Sequence, residues 1–432
     1  MKKYLIIGGA VAVIFLLIIG SIFLVSGGRR NNNSEQIELV WWKTFQDSSD
    51  VNALIEEYQK YRPNVTIKYS KKNIADYEQE LLNAIASGNS PDIFTIHNDW
   101  LPKHIDKMAP MPANMMSERQ YKEQFVDAAA YDLIKDGKIY GIPLAVDVMA
   151  MYYNKDILGS AGIFTPPTTW PEVVSAVQKI TRQDNSGNFV RSGIGMGAGS
   201  NVNRAADILM LLMLQNGTVF YNENFTSARF DQQIRVGDQS FNPGATALDF
   251  YTQFARPSKK AYTWNTKTDN SVDAFAQGKL AMMLSYSYML PTIKDKAPNL
   301  NWGVVAMPQV DNTGLKVNYA NYWAEGVSKT STKQEYAWDF LKFVSQRDVL
   351  RKYYDKVKAP SSRKDLLAEQ SKDTELGVFA DAAITARSVY KSDAGKFETI
   401  VLKMIDDVIL RGSDVEDAVS DAVSQVNFLL RQ

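Results

Sequence analysis

The sequence predicts an α/β protein with two lobes, preceded by an N-terminal transmembrane helix. Three observations support this prediction. The chain has 432 residues, which is more than one hydrophobic core usually serves. Strand-like and helical patterns alternate after residue 36, as is typical of parallel sheets. An unbroken apolar run from Tyr4 to Val25 follows Lys2 and Lys3, and it is long enough to span a bilayer as a helix.

The N-terminal segment, residues 1–28, is predicted to be a membrane anchor or a signal segment. A cleaved signal peptide has a shorter apolar core of roughly 7–15 residues, so the run favours an uncleaved anchor through residues 4–27. The small residues after Leu24 leave cleavage open as the alternative. The two preceding lysines favour a cytoplasmic N-terminus. Polar residues 29–36 indicate a flexible tether. We therefore expect the folded part outside the cytoplasmic membrane, at the cell surface or in the periplasm.

The segments after the tether predict a β-α-β-α-β unit. Residues 37–42, 65–69 and 92–96 are strand-like, and apolar residues at helical spacing lie between them. Because ligands bind beyond the carboxyl ends of parallel strands, the segments that follow these strands are candidate ligand loops. Further strand-like runs at 148–153 and 280–285 alternate with helical patterns to the end of the chain.

Composition excludes several classes of function. Lys plus Arg and Asp plus Glu each number 48, and a net charge of zero argues against nucleic-acid binding. The absence of cysteine excludes disulfides, thiolate metal sites and a cysteine nucleophile. The two histidines, His97 and His104, are too few for a typical zinc hydrolase. The glycine-rich run at 193–199 lacks the Gly-Lys-Ser/Thr ending of a phosphate-binding loop. No cofactor is predicted.

A series of short motifs then resembles the extracellular solute-binding proteins of ABC transporters, in the maltose- and sugar-binding class. Each motif alone is weak, but all occur in the order found in that family, from about residue 37 to the C-terminus. They include Gly88-Asn89-Ser90-Pro91-Asp92, Tyr140-Gly141-Ile142-Pro143, Pro167-Thr168-Thr169-Trp170, Phe275-Ala276-Gln277-Gly278 and Trp338-Asp339-Phe340-Leu341.

The resemblance implies a two-lobed, periplasmic-binding-protein-like fold with three interlobe crossings, expected near 143–148, 305–308 and 358–360. Lobe 1 would comprise residues 37–145 and 307–358, and lobe 2 would comprise residues 146–306 and 359–432. The family is often anchored through a lipidated cysteine, which this chain lacks. A transmembrane tether would replace that anchor.

The resemblance also implies a function. The chain would be a monomeric subunit of an ABC importer that binds a small polar ligand, a monosaccharide or an oligosaccharide, between its lobes. It would deliver that ligand to the transmembrane subunits of the permease. A ligand-presenting sensor module remains an alternative. So does a tethered carbohydrate hydrolase with a carboxylate pair such as Asp99 and Asp147, although no nucleophile motif is present. We therefore expect a binding protein and not an enzyme.

Sugars present hydroxyls around the ring edge and apolar faces above and below it, so a site needs aromatic rings and planar hydrogen-bonding groups. Trp41 and Trp42 are neighbours in a strand, so one of them faces the core. The alternative role of Asp99 is a helix N-cap, and that of Asp147 is a structural bond at the first crossing. The candidate ligand-binding residues are Trp41, Trp42, Lys43, Asp99, Trp100, Asp147, Tyr286, Tyr288, Trp323 and Glu325. Asn201, Asn203 and Arg204 are expected to cap a helix that faces the cleft.

Overall fold

The structure, a computed structural model, describes residues 35–311 and 316–432. The predicted anchor at 1–28 and residues 29–34 of the predicted tether lie outside these ranges. Within the two described ranges, no helix is both long enough and apolar enough to cross a membrane.

The strands of the described ranges are short. They are β1 Ile37–Lys43, β2 Val65–Lys71, β3 Ile93–His97, β4 Met108–Ala109, β5 Ile134–Lys135, β6 Lys138–Ile139, β7 Ile142–Pro143, β8 Asp147–Val148, β9 Ala150–Asn154, β10 Arg182–Gln183, β11 Phe189–Ile194, β12 Ile234–Val236, β13 Gln239–Phe241, β14 Leu280–Ser285, β15 Trp302–Val305, β16 Asn318–Asn321, β17 Trp323–Ser328 and β18 Ala386–Arg387.

Helices make up most of the remaining regular structure. They are α1 Ser48–Tyr61, α2 Tyr77–Ala86, α3 Leu101–His104, α4 Glu118–Gln124, α5 Asp127–Leu133, α6 Lys155–Ser160, α7 Trp170–Ile180, α8 Ala205–Gln215, α9 Pro243–Thr252, α10 Ser271–Ala276, α11 Met289–Lys296, α12 Gln334–Val344, α13 Arg347–Val357, α14 Lys364–Gln370, α15 Gly377–Ala383, α16 Ala394–Leu410 and α17 Val415–Leu429. Two short 3-10 helices cover Ile105–Lys107 and Gln253–Ala255.

The sheet of lobe 1 has the strand order β2-β1-β3-β17-β4, with β7 also paired to β17. Strand β1 is parallel to both β2 and β3, so the predicted β-α-β-α-β unit is confirmed. Strand β17 arrives from far along the chain and runs antiparallel to β3. Helix α13 packs against α1 on this lobe. The carboxyl ends of β1 and β3 therefore open on the same edge of the sheet.

The sheet of lobe 2 has the order β10-β11-β14-β9-β15. Strands β11 and β14 are parallel, whereas β9 runs antiparallel to both of its neighbours, β14 and β15. Helix α8, which is buried along almost its whole length, and helices α9, α16 and α17 pack together beside this sheet. Two α/β lobes thus form around separate sheets.

Sheet membership indicates where the chain passes between the lobes. Strands β7 and β9 lie in different sheets, so the first passage falls between them. Strand β16 pairs with β8 and β18 in a small sheet of its own just before β17 enters lobe 1. After α13, Pro360 accepts a hydrogen bond from the backbone of Val146 at 3.1 Å. Helix α14 still contacts lobe 1, because Lys364 pairs with Asp127 at 2.7 Å. The exact domain boundaries stay a prediction.

Helix α7 illustrates how local sequence sets an element of lobe 2. Thr169 and Glu172 form a reciprocal capping box, and a proline lies in the first turn, where it costs no hydrogen bond. The helix packs on β11 at Gly193, where an added Cβ would lie 2.7 Å from the Cα of Val177. The absence of a side chain there lets helix and sheet approach closely. This confirms the helix that the sequence predicts after the Pro-rich loop.

Candidate ligand-binding site

A cavity of about 450 Å³ lies between the two lobes. Its position at the carboxyl ends of the lobe 1 strands is the one that open α/β sheets use for ligands. Lobe 1 contributes the loop after β1 and the start of β17, lobe 2 contributes the loop after β14 and the start of α8, and the connecting segments close the third side. The lining residues are Lys43, Thr44, Phe45, Gln46, Thr95, Leu144, Ala145, Asp147, Arg204, Ser287, Tyr288, Asn321, Tyr322, Trp323, Tyr353, Val357, Lys358 and Ala359.

The lobe 1 wall of the cavity is an aromatic cluster around Trp323. The Trp323 ring meets Phe45 edge-on at 5.5 Å between centroids, and it meets Trp100 and His97 at 5.2 and 5.1 Å. Phe45 is 50% exposed although it is fully apolar. Trp100 itself stacks on Tyr77 and does not line the cavity. The cluster holds Trp323 firmly while leaving Phe45 open to the cleft.

The lobe 2 wall presents Tyr288, which is 42% exposed. Its ring stacks on the buried ring of Tyr286 at 5.7 Å with an interplanar angle of 24°. Arg204 donates from Nε to the Tyr288 hydroxyl at 2.8 Å. Arg204 precedes α8 in a left-handed conformation, with φ of 61°, and its guanidinium lies near both tyrosine rings. The buried ring of Tyr286 supports the ring of Tyr288, and Tyr288 forms the surface of the cavity. Of the two, only Tyr288 can contact a ligand.

Asp147 lies at the junction between the lobes and fixes the loop that carries Tyr288. Its carboxylate accepts backbone hydrogen bonds from Val148, Ser287 and Tyr288 at 2.8–3.1 Å. Burial raises the pKa of Asp147 to about 6, and the hydrogen bonds from Ser287, Tyr288 and Val148 oppose that rise. Asp147 therefore combines the structural role considered for it with a place in the cavity lining.

Lys43 and Glu325 form a buried ion pair beneath the lobe 1 wall. Glu325 also accepts hydrogen bonds from Trp41 Nε1 at 2.8 Å and from Thr95 at 2.9 Å, so its charge is fully compensated inside the lobe. Trp41 is completely buried against Tyr69 and Phe340. Trp41 and Glu325 are thus part of the core of lobe 1. Lys43 borders the cavity, but its amine is directed at Glu325.

Asp99 joins the two lobes directly. Its carboxylate lies 2.5 Å from Nδ1 of His97 and 2.7 Å from Nζ of Lys391, which lobe 2 contributes. Burial alone would raise the pKa of Asp99, but the charges and hydrogen bonds of His97 and Lys391 outweigh burial and hold it well below its usual range. Lys391 is buried too, and although burial alone would lower its pKa, the Asp99 charge keeps it well above the usual value. The ion pair therefore stays ionised in the contact between the lobes.

A second interlobe contact lies beside this pair. Asp132 of lobe 1 accepts hydrogen bonds from Ser388 of lobe 2, from Asn98 at 3.0 Å and from the Tyr322 hydroxyl at 2.7 Å. Burial raises the pKa of Asp132 to about 6, despite these hydrogen bonds. The lobes thus meet through two carboxylates of lobe 1 and two polar side chains of lobe 2.

The structure brings only part of the predicted set together. Asp147, Tyr288, Trp323 and Lys43 line the interlobe cavity, whereas Trp42 lies outside it with the Lys72 ammonium 3.7 Å from its ring centroid. Three members of the set are fully buried in the core, and two stand beside the aromatic cluster or between the lobes. The buried members are Trp41, Tyr286 and Glu325, and the adjacent ones are Trp100 and Asp99.

The sequence analysis did not select Phe45 or Lys391. Phe45 lies in a loop that was selected as a whole, and its position just beyond a strand end was the available signal. Lys391 carries no local signal, because its partner Asp99 is 292 residues away in the chain. Within the described ranges, no group of three or more His, Asp or Glu side chains is arranged to hold a metal ion.

Comparison with known proteins agrees with this architecture. The sequence profile of the bacterial extracellular solute-binding protein family matches residues 53–380. The multiple sugar-binding protein of Streptococcus mutans is 23% identical over 325 residues, covering 74% of this chain and 73% of that protein.

Solved structures of the same shape include two sugar-binding proteins. A cyclo/maltodextrin-binding protein complexed with maltotetraose superposes with a TM-score of 0.75 at 17% identity, over 92% of this chain and 98% of that one. The sugar-binding protein MalE from Xanthomonas citri superposes with a TM-score of 0.74 at 20% identity, over 91% and 97%. At these identities the superpositions establish the two-lobed α/β fold, and the profile match over most of the chain establishes the family. The chain belongs to the bacterial extracellular solute-binding proteins.

Proposed function

We propose that this chain binds a monosaccharide or an oligosaccharide between its lobes and delivers it to the permease of an ABC importer. The observation that carries the proposal is the pairing of aromatic surfaces across the cavity: Trp323 and Phe45 on lobe 1 and Tyr288 on lobe 2. Aromatic rings match the apolar faces of sugar rings, and the flanking polar groups match the hydroxyls.

Polar groups with fixed orientation complete the proposed site. Arg204 is held by Tyr288, and guanidinium donors suit the paired hydroxyls of a pyranose. Asp147 is held by three backbone donors, and Asn321, its partner in the β8–β16 pairing, also lines the cavity. Preorganised partners of this kind lower the entropic cost of binding.

The comparisons support the same class of ligand. The Streptococcus mutans relative is named for binding multiple sugars, and the cyclo/maltodextrin-binding protein holds maltotetraose. The proposal has two further parts. The chain delivers its ligand to a permease, and its N-terminus is held in the cytoplasmic membrane with the folded lobes outside. A tethered binding protein would keep its ligand near the importer without a lipid anchor.

Isothermal titration calorimetry tests the ligand assignment. The full-length chain would be purified in a polyoxyethylene detergent, because maltoside detergents carry a sugar, and titrated with maltose, maltotetraose, mannobiose, amino acids and spermidine. We expect heat of binding with at least one sugar and a loss of at least tenfold in affinity in Trp323→Ala and in Tyr288→Ala. Tyr336→Ala, which removes an exposed tyrosine of lobe 1 that lines no part of the cavity, is the control.

Two outcomes would count against the proposal. Binding of an amino acid or spermidine with no sugar binding would replace the carbohydrate ligand. Sugar binding that survives both cavity variants unchanged would place the site elsewhere. Transport is tested separately with the transmembrane and ATPase subunits of a candidate ABC importer from the same organism: ligand-loaded protein should stimulate ATP hydrolysis in liposomes, and a flat rate would favour a sensor.

A further inference from the structure

A second chamber lies on the far side of the interlobe contacts, and it is larger than the central cavity. Its volume is about 710 Å³. Lobe 1 supplies helices α3 to α5 and the β5–β6 hairpin, and lobe 2 supplies Phe225 and the segment 389–391. Because both lobes form its walls, the chamber exists only when the lobes are together. Its volume falls in the range of specific small-molecule sites.

Three aromatic rings face this chamber. Tyr131 of lobe 1 is 52% exposed, and its ring centroid lies 6.4 Å from that of Phe225 of lobe 2. Phe225 packs on Tyr390 at 4.7 Å. Phe225 adopts a φ of 55°, which is rare for a bulky side chain and which the packing against Tyr390 and Tyr221 maintains. Such strained conformations cluster at functional sites. The chamber thus repeats the arrangement of the central cavity, with aromatic rings contributed by both lobes.

The charges around the chamber are mixed in sign. Glu118 and Lys122 form a pair along α4, Asp127 pairs with Lys364, and Lys135 lies on the hairpin. A site for an ion would present one sign of charge. Alternating donors and acceptors beside aromatic rings instead suit a neutral ligand with many hydroxyls.

The chamber and the central cavity share one wall. Asn98 lines the chamber and Tyr322 lines the cavity, and the backbone N–H of Asn98 donates to the backbone carbonyl of Tyr322 at 3.0 Å. Beside them, the Asp99–Lys391 pair fills the space between the lobes. The wall between the two spaces is therefore formed partly by an interlobe contact, which separates whenever the lobes open.

We propose that the second chamber is an extension of the ligand site and that the preferred ligand is an oligosaccharide long enough to occupy both spaces. This inference rests on the proposed saccharide function and specifies its ligand. In the open form the saccharide lies across the cleft, and on closure its outer units pack on Tyr131 and Phe225. The Asp99–Lys391 contact is then replaced by contacts of each side chain with sugar hydroxyls.

Calorimetry with saccharides of increasing length tests the inference on the full-length chain. The probes are maltose through maltohexaose and mannobiose through mannohexaose. In the series that binds, we expect affinity to rise with length and Tyr131→Ala and Phe225→Leu each to lose about tenfold for the longest members, or about 1.4 kcal/mol. Both variants should bind the disaccharide as the native chain does. Tyr336→Ala is again the control, and melting temperatures verify that each variant folds.

The outcomes separate this inference from the proposed function. The role of the second chamber is refuted if the native chain binds disaccharides but its affinity does not increase with ligand length. It is also refuted if the length dependence persists in both chamber variants. Either outcome leaves the saccharide function in place. If no member of either series binds the native chain, the saccharide function fails and this inference fails with it. A selective loss for long ligands in both variants supports the extended site.

Discussion

Replacing Lys391 with methionine should open the cleft. Methionine keeps most of the apolar stem of lysine but removes the ammonium that pairs with Asp99. Both side chains are almost completely buried, at 11% and 4% exposure. In the closed form the variant therefore leaves the Asp99 carboxylate buried without its interlobe partner. In the open form water reaches Asp99, so the cost falls on the closed form alone.

The structure sets the size of this effect. Removing one partner of a buried ion pair costs about 3–5 kcal/mol. His97 remains 2.5 Å from the Asp99 carboxylate, so the lower end applies and we expect about 3 kcal/mol. Since each 1.4 kcal/mol is a factor of ten, the ratio of closed to open molecules should fall by roughly a hundredfold.

Distance measurement between spin labels reports this change directly. The chain contains no cysteine, so Glu123→Cys on lobe 1 and Glu223→Cys on lobe 2 would be the only labelling sites. Without sugar, we expect one short distance in the parent chain and a longer, broader distribution with Lys391→Met. Lys403→Met is the matched control, because Lys403 pairs with Asp407 one turn away in the same helix. A distance distribution unchanged by Lys391→Met would refute the role of this ion pair in closure.

Three further predictions concern stability. The pKa of Asp132 in the folded chain is about 6 against an ordinary 3.8, so the folded state binds more protons at this group. This group alone should therefore add about 1 kcal/mol of stability between pH 7 and pH 5. The melting temperature should rise less between pH 7 and pH 5 in Asp132→Asn than in the parent chain. An equal rise in both proteins would contradict this prediction. Gly193→Ala should lower the free energy of unfolding, measured in urea, by about 1–3 kcal/mol. Gly159→Ala is the control, because a Cβ added at Gly159 would have no atom within 4 Å and should not lower this free energy. Equal effects of the two substitutions would contradict the close packing at Gly193. Glu325→Gln should cost about 3–5 kcal/mol by leaving Lys43 buried without a counter-charge, and a urea midpoint near that of the parent would contradict it.

The sequence was sufficient for the elements whose signals are local. Strands β1, β2 and β3 and the helices between them follow from apolar spacing and capping residues, and the structure has all of them. The small sheet of β8, β16 and β18 was not predicted. Its strands have two, four and two residues and lie far apart in the chain, so no local pattern reveals their pairing.

The two neighbouring tryptophans show where sequence reasoning stopped short. Side chains alternate along a strand, and Ile37, Leu39 and Trp41 are buried on one face of β1 while Trp42 lies on the other. That alternation was visible in the sequence and would have assigned Trp41 to the core. It would also have put Lys43 on the core face. A lysine can be buried there only because Glu325 on β17, 282 residues away in the chain, forms an ion pair with it. A long-range partner of this kind has no local signature.

Position relative to a strand end explains how Phe45 and Tyr288 reach the ligand space. Strand β1 ends at Lys43 and exposes Phe45, and β14 ends at Ser285 and exposes Tyr288. Tyr286, directly after the same strand, is still buried. In these two loops the side chain immediately after the strand is still buried, whereas the aromatic side chain two or three positions after the strand end reaches the cleft. Aromatic residue type alone therefore selects too many candidates. Distance from the strand end separates Tyr288 from its support Tyr286, whereas Trp323 reaches the cavity from the first position of β17 itself.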